Sequence, residues 1–219
     1  MPDATTTENA ADAADRLDGR RERGRRTRES ILATAVDLAS VEGLGGLTIG
    51  RLASELNMSK SGLFAHFGSK EELQLATIEA AREIFIAEVV APARAADPGL
   101  PRLATLIEAK LDYLRRGVFA GGCFFDAVRS EYDSRRPGPV RDAILDEFGS
   151  WSRLVADMVR AAQRAGHLDP DADPDQVAFE LDALGGAPNV RYQFDGDEAS
   201  FGRARRAVRE RLDALAAER

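Results

Sequence analysis

Apolar residues recur along this chain at spacings of three and four, and no segment alternates with the period of two that a half-buried strand requires, so the pattern predicts an all-α protein. Ile49, Leu52, Ala53 and Leu56 fall at i, i+3, i+4 and i+7, which predicts a short helix from about Thr48 that ends at Asn57. Ser59 then caps a second helix, in which Leu63 and Phe67 are i, i+4 partners facing inward. Lys60, Ser61, Gly62, Ala65 and His66 are left on its outer side. Two short helices joined by a tight turn, the second with a small polar outer face, form a helix-turn-helix whose second helix suits a DNA major groove. Gly68 can adopt the left-handed conformation that ends a helix, and Ser69-Lys70-Glu71-Glu72 has the spacing of a capping box. Lys70 thereby stands at a helix N-terminus, where its charge and the free backbone N–H groups can both address a phosphate.

Downstream, Leu75, Ile78, Ala81, Phe85 and Val89 predict a long helix from Glu71 to about Val90, closed by Pro92 and Asp97-Pro98-Gly99. Leu103, Ile107, Leu111, Leu114 and Val118 predict the next, up to Gly121-Gly122; a short helix from Cys123 to Tyr132 precedes the turn Arg136-Pro137-Gly138-Pro139. From Val140 to Ala162 the apolar stripe is too broad for a surface helix, and Gly166 ends it. Asp173-Pro174-Asp175-Gln176 opens another helix, within which Gly185-Gly186-Ala187-Pro188 predicts a kink or very close packing. A last helix from about Glu198 places Phe201, Ala204, Val208, Leu212 and Leu215 on one side.

Charge sharpens this picture. The net charge is −7, yet residues 16–75 hold ten basic against eight acidic side chains, while residues 76–219 hold twenty against twenty-five. Arg16, Arg20, Arg21, Arg23, Arg25, Arg26 and Arg28 cluster ahead of the helix-turn-helix as a phosphate-seeking arm, so a DNA-reading front and an acidic rear that avoids DNA are expected. Residues 1 to about 15, rich in Ala, Thr and Asp without an apolar face, read as disordered.

Catalytic chemistry has little to stand on. Cys123 is the single cysteine, which rules out an internal disulfide and a thiolate zinc site, and His66 and His167 lie far apart without ligands at metal spacing. Carboxylates at Asp169 to Asp175 and Asp195 to Glu198 sit at helix starts, where capping accounts for them. Without a phosphate-cradling glycine loop or a nucleophile elbow, the expectation is a protein that is not an enzyme and uses no cofactor or metal. No apolar run is long enough to cross a bilayer and the N-terminus is polar, so a cytoplasmic protein without membrane contact is expected.

Over about residues 25 to 75 the chain resembles the TetR family of bacterial transcriptional regulators. The resemblance rests on Thr27 to Gly43 as a first helix, Leu47-Thr48-Ile49, Leu52-Ala53, Met58-Ser59-Lys60, Leu63-Phe64-Ala65-His66-Phe67 and Ser69-Lys70-Glu71-Glu72-Leu73. It implies an N-terminal three-helix helix-turn-helix domain over residues 25–73, after a disordered arm over residues 1–24, and a helical effector-binding and dimerisation domain over residues 74–219. It further implies a repressor that binds a near-palindromic double-stranded DNA operator as a homodimer and is released by a small-molecule effector.

Arg25, Arg26, Thr48, Ser59, Lys60, Ser61, Gly62, Phe64, Ala65, His66 and Lys70 are the expected DNA-binding residues. Members of the family often carry Tyr where Phe64 stands, so this chain keeps the ring and lacks a hydroxyl that would meet a phosphate. Tyr113, Phe119, Cys123, Phe124, Phe148, Trp151 and Met158 are the candidates for an effector pocket. Residues from about Pro174 to Phe194 and from Glu198 to Leu215 are expected to form the dimer interface, two helices from each subunit making a four-helix bundle, with Gly185, Phe201, Ala204, Val208, Leu212 and Leu215 as candidates, because the last apolar stripe has no later segment to cover it. Coupling would run through the helix that begins at Ser69. A rival reading of the same aromatic cluster is a small helical ligand-binding protein or enzyme that uses the cavity.

Overall fold

A computed structural model describes the backbone of residues 4–217 and the side chains of residue 19 and residues 21–217. Among these residues the chain folds into ten α-helices and no strand, with one isolated bridge between Leu168 and Ala216. Three helices make the N-terminal unit: α1 (Ala4–Gly46), α2 (Ile49–Glu55) and α3 (Lys60–Phe67). Ile31, Ala35 and Ala39 of α1, Leu52 of α2 and Leu63 and Phe67 of α3 are buried together, each supplied by helical spacing.

The segment expected to be disordered differs. From Ala4 onward it is helical and continuous with α1. Further along α1, pairs at i, i+3 and i, i+4 support the helix: Glu22 accepts from Arg25 and Arg26, and Arg25 also pairs with Glu29. Residues 1–3, and the side chains of Arg16 and Arg20 from the basic arm, lie outside the described residues. At its far end α1 is interrupted by Gly43, whose φ of 73° belongs to glycine.

The connecting helix α4 (Lys70–Phe85) passes through a π-helical turn at Ile86–Val90 into α5 (Ala91–Ala95). That turn carries the chain past Pro92, expected to stop the helix, because it sets the proline at the start of α5 where a missing N–H costs little. Then follow α6 (Leu100–Arg116), α7 (Phe124–Tyr132), α8 (Pro139–Arg164), α9 (Pro174–Asp195) and α10 (Ala199–Ala214). α6 ends before Val118, since Gly117 takes the left-handed cap with φ 60°. α9 runs unbroken through Pro188, with Asp173 capping its start. The C-terminal core joins Leu111 and Leu114 of α6, Val155 and Val159 of α8, Leu181 of α9 and Phe201 of α10.

Two sets of contacts fasten the units to each other. Backbone N–H groups of Ala120 and Gly121, before α7, donate to Asp37 Oδ1 (2.8 Å) and Ser40 Oγ (3.0 Å) of α1, while Gly45 N–H donates to Glu131 Oε1 of α7 (2.8 Å). Gln74 of α4 is buried and donates to the Leu44 carbonyl at 2.6 Å.

Candidate nucleic-acid interface and ligand cavity

The helix-turn-helix is built by its caps. Thr48 Oγ1 accepts from Arg51 N–H (3.1 Å) at the start of α2, and Ser59 Oγ accepts from Gly62 N–H (3.1 Å) at the start of α3. Between them Asn57 has φ 51°, a left-handed position that Asn tolerates and that makes the turn tight. Ser69 caps α4 by accepting from Glu72 N–H at 3.0 Å, as the capping box requires.

With Leu63 and Phe67 buried, α3 turns Lys60, Ser61, Phe64 and Ala65 to solvent, and Gly62 and His66 are half-buried beside them. This face is small apart from Phe64, which is 53% exposed. Lys60 lies across α2, with its Cε 3.4 Å from where a Cβ on Gly50 would stand, so Gly50 gives the lysine its room. Arg28, counted with the basic arm, has a different role. It donates to the His66 carbonyl (2.6 Å) and stacks over the Phe67 ring (4.3 Å to the centroid), holding the end of α3 against α1. Arg25 and Arg26 are exposed but shared with Glu22 and Glu29. Lys70 is exposed at the start of α4 and donates to the Gly45 carbonyl at 2.8 Å.

A cavity of about 240 Å³ opens between α4, α6, α7, α8 and α9. Of the seven pocket candidates, Cys123, Phe148 and Trp151 line it; Tyr113, Phe119, Phe124 and Met158 are buried core residues that do not. Phe85 and Phe125 complete its aromatic wall, Phe85 meeting Phe125 and Trp151 edge to face at centroid distances of 6.0 and 5.4 Å. Phe85 lies at a helical spacing that reads as plain core, while Phe125 belongs to the Cys123-Phe124-Phe125 segment that the sequence offers for the pocket. Less foreseeable is the polar end. Lys110 is only 5% exposed, and its ammonium donates to Asp182 Oδ1 at 2.7 Å while sitting 4.9 Å over the Trp151 ring. Trp151 Nε1 donates to the same oxygen at 2.8 Å.

Burial alone would raise the Asp182 carboxyl, but Lys110 and the indole N–H outweigh it and hold it below the usual range. Burial raises Asp126 and Glu147 instead, and pushes the Cys123 thiol up to about 12, so the thiol stays protonated at neutral pH. Asn189 of α9 ties these groups to the clamp on α1, accepting from Cys123 N–H and donating to Asp126 Oδ2, both at 3.2 Å.

The dimer candidates on the last helix are placed elsewhere than the sequence reading had them. Phe201, Ala204, Val208, Leu212 and Leu215 are all buried within the chain's own core, because α10 lays its stripe back on α9 and α6. Gly185 is also buried, in van der Waals reach of the Lys110 stem. The apolar surface left uncovered is on α9, where Phe179 (70% exposed), Val190 (60%) and Phe194 (91%) share one face with the exposed Ala183 and Ala187. Leu145 of α8 adds to the exposed apolar surface.

Among the described residues no helix is long and apolar enough to cross a membrane, and no group of three metal-ligating side chains occurs. Residues 31–77 match the tetR family of bacterial regulatory proteins, and residues 99–208 match the tetracyclin repressor-like C-terminal domain. The transcriptional regulator AcuR of Cereibacter sphaeroides is 25% identical over 158 residues, 68% of either chain. The HTH-type transcriptional regulator TcmR of Streptomyces glaucescens is 27% identical over 163 residues, 74% of this chain and 70% of its own. A crystal structure of a TetR transcriptional regulator from Chloroflexus aurantiacus shares the fold, with a TM-score of 0.82 at 21% identity over 89% of this chain and 98% of its own.

Proposed function

Since the chain belongs to the TetR family of bacterial regulators, we propose that this DNA-binding transcriptional regulator is a repressor that grips a near-palindromic operator as a homodimer and lets go when a small molecule enters the cavity. Residues 25–73 are the reading unit and residues 74–219 the effector-binding and dimerisation unit. The observation that carries the reading is the outward face of α3, small and polar around Lys60, Ser61 and Ala65, on a helix anchored from behind by Leu63 and Phe67. In a major groove that face brings Ser61, Gly62 and Ala65 to base edges, while Thr48, Lys60, His66 and Lys70 address phosphates. Arg25 and Arg26 add affinity without sequence preference, reduced by their pairing with Glu22 and Glu29.

The dimer forms through α9. Large residues at both ends of its exposed stripe and Ala183, Gly186 and Ala187 between them suit two helices crossing closely on a two-fold axis. Effector entry acts on Phe85 of α4 and on Cys123 and Phe125 at α7, which meet α1 through the Gly121 and Gln74 contacts. A shift there changes the separation of the two reading heads, which must stay near one DNA turn, about 34 Å. Anisotropy titrations against sequences selected from a random DNA pool test the reading: a palindromic consensus is expected, with affinity falling steeply as salt rises. A salt-insensitive complex, or selection without a consensus, would overturn it.

A further inference from the structure

Lys110 presents an unusual wall to the cavity. The ammonium has three N–H bonds, and only the one to Asp182 finds an acceptor among the described residues. A buried ammonium gains from further acceptors, so the two remaining donors at a cavity wall suit an acceptor that arrives with a ligand. The charges lining the cavity point the same way: Arg82, Arg94 and Lys110 face Glu147 and Asp182, a surplus of one positive charge. Arg94 has no ion pair among the described residues, and Arg82 is already shared between Glu79 and Glu147. A cationic ligand is disfavoured, because the protein's own ammonium already occupies the face of Trp151. The rest of the wall, with Phe85, Ile86, Val90, Phe125 and Leu154, is apolar. With a volume of about 240 Å³, the cavity has room for a single-ring compound.

We propose that the cavity takes a small hydrophobic organic acid, its carboxylate or phenolate oxygen on the open N–H donors of Lys110 and its body among the aromatic rings, so that the ligand shares the ammonium with Asp182 and competes with it. This rests on the cavity being the effector site. Asp182 belongs to α9, one turn from Phe179 at the edge of the exposed stripe, so competition for its partner weakens the bond that ties α9 to α6 beside the proposed dimer contact.

Trp151 is the only tryptophan, and its emission therefore reports on the cavity directly. The probes are phenylacetate, phenylacetamide and phenethylamine, which share a ring and differ in charge. Phenylacetate should bind about tenfold or more tighter than the amide, as a charge-assisted bond to a buried ammonium implies, and the amine should bind weakest. Lys110→Met should erase the preference of acid over amide. Asp182→Asn should instead tighten phenylacetate by about threefold or more, since it removes the competing carboxylate and leaves the ammonium without a counterion; a merely structural Asp182 would weaken every probe. An amide or amine that binds as well as the acid, absence of any emission change with phenylacetate, or weaker phenylacetate binding in Asp182→Asn overturns the proposal. Operator binding followed in the same samples separates the two readings. Phenylacetate held by the cavity with the operator still bound leaves the acid site standing and removes the effector role.

Discussion

Phe64 stands 53% exposed on the outward face of α3, although an aromatic ring is among the side chains that most favour burial. An exposed ring on a helix meant for a groove is read most simply as a surface that DNA covers. Phe64→Tyr should then gain one phosphate hydrogen bond and tighten operator binding by about 0.5–1.5 kcal/mol with the folding midpoint unchanged; titration calorimetry beside thermal melting checks both, and a lower melting point without a gain in affinity would count against it. Lys70 serves two masters, since its ammonium also holds the Gly45 carbonyl. Lys70→Ala should weaken binding to all sequences alike and lower the salt slope by about one. Ser61 makes only a 3.3 Å contact to Ser59 and is otherwise open, so Ser61→Arg should alter the selected consensus rather than the salt slope. An identical consensus from both proteins would remove Ser61 from the base-facing set.

At the scale of elements, the joint between α1 and the segment before α7 is the tightest contact between the two units. A Cβ on Gly121 would stand 2.0 Å from the Ser40 carbonyl oxygen, a backbone atom that cannot swing aside. Gly121→Ala must therefore push α7 and α1 apart, breaking the bonds that Ala120 and Gly121 donate to Asp37 and Ser40. The expected cost is roughly 1–3 kcal/mol, read as a fall in Tm of about 2–4 °C for each kcal/mol. Because the same segment runs into Cys123 and the cavity wall, the variant should also weaken the dependence of operator affinity on any bound effector. A variant with wild-type Tm and unaltered effector response would show that this joint does not carry the coupling.

For the whole molecule the question is which surface meets the second copy. Phe179, Val190 and Phe194 leave an apolar stripe in water along most of α9, and monomeric proteins seldom keep such a stripe uncovered. Phe179→Asp with Phe194→Asp places four carboxylates in a dimer contact without partners, so sedimentation at micromolar concentration should show monomers. Affinity for the full operator should collapse in parallel, because one reading head meets only a half-site. Val208→Asp with Leu212→Asp should behave differently: these residues are core, so the pair should unfold the C-terminal unit instead of yielding a folded monomer, and circular dichroism distinguishes the outcomes. An undiminished dimer with the α9 pair replaced would put the contact on another face.

The helices and the helix-turn-helix were legible because their determinants are local. Ser59, Ser69 and Asp173 cap the residues that follow them, Gly68 allows the exit from α3, and periods of three and four put Leu63 with Phe67 without reference to anything distant. Composition alone had suggested a loose segment where α1 continues back to Ala4. Partner choice among apolar stripes is another matter. The stripe of α10 has the same spacing whether it meets α9 of its own chain or a second copy, and only the packed structure shows it consumed within the core while α9 offers the free face. Phe124 and Phe125 are neighbours in sequence, yet one fills the core and the other lines the cavity, because a helix turns them in different directions. Nothing in the sequence around Lys110 marks it as buried. Its burial is tolerated only because the fold brings Asp182 to it from 72 residues away, and a desolvated charge depends on a counterion that no local pattern can announce.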